Sequence, residues 1–252
     1  MAGKYTYFIS DTHLGAAYLS NPLDSERRVV RWLDSIKHSA KSIYLLGDII
    51  DYWFEYRNVV PRGYVRFFGK LAELADSGIA ITWITGNHDI WIFDYLPSEL
   101  GIRVIDGPII EEIDGHRFLL DHGDKVGKQP LPYRIMSGIF HNRICQRLYA
   151  AIHPRLTLPF ATGWSKSNRV SRKPINIDCD IERGLKIVRD FSQEHSAKHP
   201  DIDFYIYGHL HIAINEILPT GKRMAVLGEW ISHSTFATFD GSILSLQEFE
   251  KV

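Results

Sequence analysis

Five short apolar runs in this chain each break off into a turn that carries Asp, Asn or His. Residues 5–10 lead into Asp11-Thr12-His13, residues 42–46 into Gly47-Asp48-Ile49-Ile50-Asp51, and residues 79–85 into Gly86-Asn87-His88-Asp89. A run ending at Leu120 leads to His122-Gly123-Asp124, and residues 204–207 lead to Gly208-His209-Leu210-His211. Each run has the length and apolar content of a buried strand bounded by turn residues. Their ends constrain the fold, because in open α/β sheets sites form beyond the carboxyl ends of parallel strands. Gly47, Gly86 and Gly208 fit the same logic, since glycine lets the backbone approach a site closely.

Between the first three runs, residues 24–38 place Val29, Val30, Leu33 and Ile36 at helical spacing. A second stripe of Val65, Phe68, Leu71 and Leu74 follows Pro61, a residue suited to the first helical position. This β-α-β-α-β order predicts a parallel sheet with right-handed crossovers. Downstream, residues 109–113, 117–120, 215–218, 223–227, 235–239 and 244–249 read as short strands with glycine-bearing turns. A mixed sheet, or two packed sheets flanked by helices, fits this better than a purely doubly wound fold. Cys145 and Cys179 cannot build a disulfide framework or a four-thiolate zinc site. No run approaches the ~18 apolar residues of a membrane span. The first residues enter a strand directly, without the pattern of a secretory signal, so a cytoplasmic chain with reduced thiols is expected.

The formal charge of −1 conceals an asymmetry. Ten of the 29 Lys and Arg, and none of the 30 Asp and Glu, fall in residues 125–177, so this segment carries +10 and the remainder −11. Such a division points to an anionic partner for the basic part. Within it Phe140, Ile144, Leu148 and Ile152 lie four apart, Ile135, Met136 and Ile139 precede them, and Arg143 and Arg147 fall off the stripe. Pro154, Pro159 and Pro174 then break the pattern into helices joined by turns. Two readings stand: an amphipathic helix packed on the core, or a basic, apolar-lined cap over a site elsewhere.

The five blocks, in this order and each after an apolar run, resemble the calcineurin-like dimetal phosphoesterase superfamily, and the likeness runs from Asp11 to His211. It implies an α/β fold with a mixed two-sheet β-sandwich core flanked by helices. It also implies one domain over residues 1–252, with 125–177 as a helical lid insertion. Two divalent metals would be bridged by Asp48, with Asp11, His13 and His211 completing one site and Asn87, His122 and His209 the other. Carboxylate, imidazole and amide ligands suit Mn²⁺ first, with Fe²⁺ or Zn²⁺ as further candidates. Such a pair activates a shared water and clamps the oxygens of an in-line displacement at phosphorus. The catalytic candidates are then His88, which would protonate the leaving oxygen or stabilise charge on the phosphorane, and Asp89, which would orient that imidazole, with Asp51 lying behind the ligands.

Within that superfamily the chain most resembles the UDP-2,3-diacylglucosamine pyrophosphohydrolases of lipid A synthesis. The carrying residues are Ile43-Tyr44-Leu45-Leu46-Gly47-Asp48 running on to Asp51-Tyr52-Trp53, the His122-Gly123-Asp124 block, and Val226-Leu227-Gly228-Glu229-Trp230. To these is added the helical insert with Ser165-Lys166-Ser167-Asn168 and Lys173. The implied reaction is cleavage of the substrate diphosphate to UMP and the acylated sugar 1-phosphate. Substrate contacts would come from Asn87, His88 and His209 at the centre and from Tyr133, Ser165, Asn168, Arg172 and Lys173 in the lid. One departure is that better-known members carry Arg where this chain has His88, the residue of general phosphoesterases. The alternative is a dimetal phosphodiesterase or nuclease acting on another phosphoester. The insert's many large apolar residues exceed what a nucleic-acid groove requires and weigh against nucleic acid. Together, its basic residues suit a diphosphate and its apolar residues two acyl chains, and both suit peripheral contact with an anionic inner membrane at about 1 kcal/mol per basic residue near its surface. No obligate protein partner is implied.

Overall fold

Period-2 alternation along the apolar runs divides their side chains among three apolar layers around two sheets. The computed structural model describes residues 3–159, 163 and 177–251. In chain order the elements are β1 (Tyr5–Ile9), α1 (Pro22–Ile36), β2 (Ala40–Leu46), α2 (Val65–Asp76), β3 (Ala80–Ile84), α3 (Tyr95–Leu100), β4 (Arg103–Ile105), β5 (Ile109–Ile113) and β6 (His116–Asp121). There follow α4 (Leu131–His141), α5 (Arg143–Ala150), α6 (Ile177–Lys198), β7 (Phe204–Tyr207), β8 (Ala213–Ile217), β9 (Arg223–Leu227), β10 (His233–Phe239) and β11 (Leu244–Lys251). One sheet has the order β11-β10-β1-β2-β3-β4 and the other β5-β6-β7-β9-β8.

Tyr7 and Ile9 of β1, with Ile43, Leu45, Ile81 and Trp83, pack under Trp32 and Leu33 of α1 and Phe67 and Leu71 of α2. The intervening Phe8, Tyr44 and Leu46 turn the other way, against Phe118, Leu120, Phe204, Ile206 and Phe239, and fill the space between the sheets. Phe8 is fully buried and stacked between Tyr44 and Phe118, so its truncation to Ala would cost about 3–5 kcal/mol. On the far side, Tyr205, Tyr207, Met224 and Val226 meet Val188 of α6. The two-sheet sandwich flanked by helices is therefore the observed architecture. Among the described residues no helix is long and apolar enough to cross a membrane.

β1, β2 and β3 run parallel, as do β6 and β7, so the loops that follow these five strands leave at carboxyl ends. Two local expectations change. α2 begins at Val65 rather than near Pro61, after Tyr64 in a left-handed conformation (φ 60°). The cap for its first turn comes from α1, where the Glu26 carboxylate accepts from the N–H groups of Arg66 and Phe67. The apolar stripe of the basic insert is likewise two helices. Asn142 leaves helical geometry (ψ 120°), and its side chain accepts from the N–H groups of Ile144 and Cys145 to start α5.

Candidate active site

The five loops bring their polar side chains to one centre. Ligand atoms of Asp11, His13 and His211 lie within 4.8 Å of one another, and so do those of Asp48, His122 and His209. Asp48 stands between the groups: its Oδ2 is 3.4 Å from His122 Nε2 and 3.8 Å from His13 Nε2. Asp11 Oδ1 is 3.4 Å from His211 Nε2, while its Oδ2 accepts from the His209 N–H at 2.8 Å.

The backbone is bent to make this possible. Of the seven non-glycine residues with positive φ among the described residues, five are Asp11, His13, Asp48, His209 and His211. Left-handed geometry at such residues costs on the order of 1 kcal/mol each and persists only where surrounding structure imposes it. The close approach also requires glycine. A Cβ on Gly86 would fall 2.2 Å from Asp48 Oδ1, and one on Gly47 (φ 79°) 2.5 Å from His122 Nδ1.

Ring orientations are fixed from behind. His122 Nδ1 donates to the Leu46 carbonyl at 2.8 Å, and His13 Nδ1 donates to Asp51 Oδ1 at 3.1 Å, so both present Nε2 to the centre. His88 Nδ1 donates to the Asp51 carbonyl at 2.8 Å, which leaves its Nε2 4.0 Å from Asp48 Oδ2. Asp89 does not take the role expected of it. Its buried carboxylate accepts from Gly86 N–H (2.7 Å), Ile49 N–H (2.9 Å) and Trp83 Nε1–H (3.2 Å). Asp89 thus ties together the loops after β2 and β3, and Asp51 supplies the groups beside the His88 ring. Sequence adjacency suggested the wrong carboxylate, because successive side chains in this turn point in different directions.

The electrostatics are those of a site built around positive charge. Burial pushes the Asp11 carboxyl up to about 7. Burial also opposes ionisation of Asp48, but His122 and His88 beside it hold that carboxyl well below the usual range. Burial drives His209 down to about 4; it disfavours charge on His122 too, but Asp48 outweighs it and raises that imidazole. Among the described residues, Asp11 Oδ1, Asn87 Oδ1 and His122 Nε2 are buried here without a hydrogen-bond partner. Buried oxygens and imidazole nitrogens in that state, with no thiolate among them, fit a pair of divalent cations.

A family model for calcineurin-like phosphoesterases matches residues 5–213. The chain is a calcineurin-like phosphoesterase. It is 44% identical to UDP-2,3-diacylglucosamine hydrolase of Porphyromonas gingivalis, over 97% of each chain. Proteins of the same name from Nitrosococcus oceani and Hamiltonella defensa are 25% and 27% identical, over 89% and 98% of this chain and 87% and 99% of theirs.

Beside this phosphoesterase centre sit α4 and α5, neither of which buries a single residue. Of the two readings of this stretch, burial against the core does not describe α4 and α5. Ile135, Ile139, Ile144, Leu148 and Leu156 are half to two-thirds exposed. Tyr133 lies in α4, where its hydroxyl donates to Asp124 Oδ2 at 2.6 Å, two residues past His122. With Lys125, Lys128, Arg134 and His141 it lines a cleft of about 770 Å³. Ser165, Asn168, Arg172 and Lys173 lie outside the described residues. Sequence reasoning missed the aromatic seat of the cap, Tyr52, Phe54 and Trp91 against Phe140 and Tyr149. A usable signal was the density of aromatic residues immediately after the Asp48 and Asn87 blocks.

Proposed function

We propose that this phosphoesterase hydrolyses the diphosphate of UDP-2,3-diacylglucosamine to UMP and 2,3-diacylglucosamine 1-phosphate. The observation that carries the reading is the full-length likeness to UDP-2,3-diacylglucosamine hydrolase. It is supported by a helical cap whose basic and apolar residues stand exposed beside the centre.

In this reading Asp11, His13, Asp48 and His211 hold one cation, and Asp48, Asn87, His122 and His209 the other, Mn²⁺ being the preferred ion. The chemistry supplied by a bound pair is Lewis-acid polarisation of phosphoryl oxygens and activation of the attacking water. The protein's own groups do the remainder. Asp51 keeps the His88 proton on Nδ1, so Nε2 faces the centre and, when protonated, delivers its proton to the leaving oxygen. Lys125, Lys128 and Arg134 offer charge to the diphosphate, and the exposed Ile and Leu residues of α4 and α5 offer surface to the acyl chains. The same face suits peripheral attachment to the cytoplasmic side of an anionic inner membrane, from which such a lipid would be drawn.

The test is incubation of purified protein and Mn²⁺ with UDP-2,3-diacylglucosamine. UMP and the acylated sugar 1-phosphate should appear one for one. Cleavage of simple phosphodiesters without UMP release would overturn the substrate and leave the alternative phosphodiesterase.

A further inference from the structure

The two cap helices pose a stability problem. α4 has 11 residues and α5 has 8, and neither buries a residue. Helices shorter than about 12–15 residues are marginal in water unless tertiary contacts fix them. Trp91 makes such contacts to both. Its Nε1–H donates to the Phe140 carbonyl of α4 at 2.9 Å, and its ring meets the Phe140 ring edge-on at 5.3 Å. The other face of the contact is α5, where the Tyr149 ring stacks on Trp91 at 5.4 Å. Tyr149 is itself held by the body, through the Tyr52 hydroxyl at 2.8 Å and the Phe54 ring at 4.8 Å.

The backbone of Trp91 belongs to the catalytic body. Its carbonyl accepts from the Glu55 N–H at 3.2 Å, and it forms a parallel bridge with Phe54. It stands three residues after His88 and four after Asn87, on the same loop. Phe54 in turn lies six residues after Asp48. One side chain therefore ties both cap helices to the two loops that carry Asp48, Asn87 and His88.

We propose that Trp91 is a positioning residue that sets the register of the cap over the phosphoesterase centre, and so determines specificity for the acylated substrate. It is not among the ligand-type groups of the centre. A large lipid substrate spans cap and centre, so a cap displaced by an ångström or so misplaces the diphosphate. A small phosphodiester needs the centre alone, whose loops keep their own backbone bonds. The inference rests on the proposed function for its substrate, not for its geometry.

The test uses Trp91→Phe, which keeps an aromatic ring and removes the indole N–H, and Tyr149→Phe, which removes the hydroxyl bond from the cap side. Activities on UDP-2,3-diacylglucosamine and on bis(p-nitrophenyl) phosphate are compared with Mn²⁺ present. For Trp91→Phe, kcat/KM on the lipid should fall about tenfold or more, the scale of a small misplacement, while that on the diester stays within about twofold. A parallel fall in both activities, or no selective fall, overturns the proposal. Hydrogen exchange provides a readout that needs no substrate. In either variant, amides of residues 131–150 should exchange faster and those of residues 86–90 should not. If the unsubstituted protein releases no UMP, the substrate reading fails by itself. Unchanged exchange in the cap would instead overturn the register claim.

Discussion

The metal-type centre and the cap are opposites in how they are held. At the centre Asp11, Asp48 and His122 are buried, their loops are bent into left-handed backbone, and neighbouring glycines leave no room for a methyl group. Beside it, α4 and α5 bury nothing, expose a stripe of Ile and Leu, and rest on a few aromatic rings and the His141–Asp106 ion pair. Chemistry at phosphorus tolerates little displacement, so its residues are over-determined by the sheet ends. In the proposed reading, recognition of flexible acyl chains needs apolar area more than fixed atoms, and a loosely seated helix pair would supply it.

The comparison can be broken most severely at the centre. Asp48→Ala removes the carboxylate shared by both ligand groups. Turnover should fall on the order of 10³-fold or more, the scale for losing a member of a catalytic unit, and calorimetric titration should show weakened Mn²⁺ binding. Two retained metals with full turnover would remove Asp48 from the bridging place proposed for it. Gly86→Ala is next, because its Cβ would strike Asp48 Oδ1. Hydrolysis should drop about 100-fold on every substrate while circular dichroism stays native.

Substitutions in the cap should act on one substrate only. Ile144 and Leu148 are already 67% and 66% exposed, so replacing both by Ser should leave the melting temperature unchanged. Lipid kcat/KM should nonetheless decline about tenfold, since each methylene that an acyl chain covers is worth roughly 0.8 kcal/mol. A lowered melting temperature would mean that these residues pack against the body after all.

The smallest effect concerns the cap's other edge, where Asp106 lies 3.4 Å from His141 Nε2 and 3.2 Å from Lys125 Nζ. Asp106 raises the His141 imidazole above its ordinary 6.5, and His141 in turn lowers the Asp106 carboxyl below 3.8. A raised histidine stabilises fully below 6.5 and loses that contribution as pH climbs through its folded value. A lowered carboxylate contributes above 3.8 and is lost on acidification. The latch therefore holds from about pH 4 to somewhat above 6.5. Cap amide exchange should speed up modestly on moving from pH 6 to pH 8, after correction for intrinsic rates, and Asp106→Asn should flatten that dependence.

The centre was legible in the sequence because each of its residues sits in a short motif at a strand end. The continuous apolar content of residues 5–10 and 42–46, each run followed by turn residues, placed those ends without knowledge of the partner strands. What was hidden depends on distance along the chain. The contact from Trp91 to Phe140 spans 49 residues and that from Tyr52 to Tyr149 spans 97, and no local pattern announces either. The start of α2 was misplaced for the same reason, since its cap comes from Glu26, forty residues earlier. Asp89 failed differently. Its carboxylate was assigned to the neighbouring His88 ring, and only the folded turn shows that it grips Gly86 and Ile49 instead.

An exact centre and a loosely held cap should together make one enzyme selective for an acylated nucleotide sugar. The most direct measurement is the ratio of kcat/KM for UMP release from UDP-2,3-diacylglucosamine to that from unacylated UDP-glucosamine. The account predicts a ratio of about 10³ or more, because two acyl chains seated under the cap bury many methylenes. A ratio near one would contradict it and reduce the cap to a bystander.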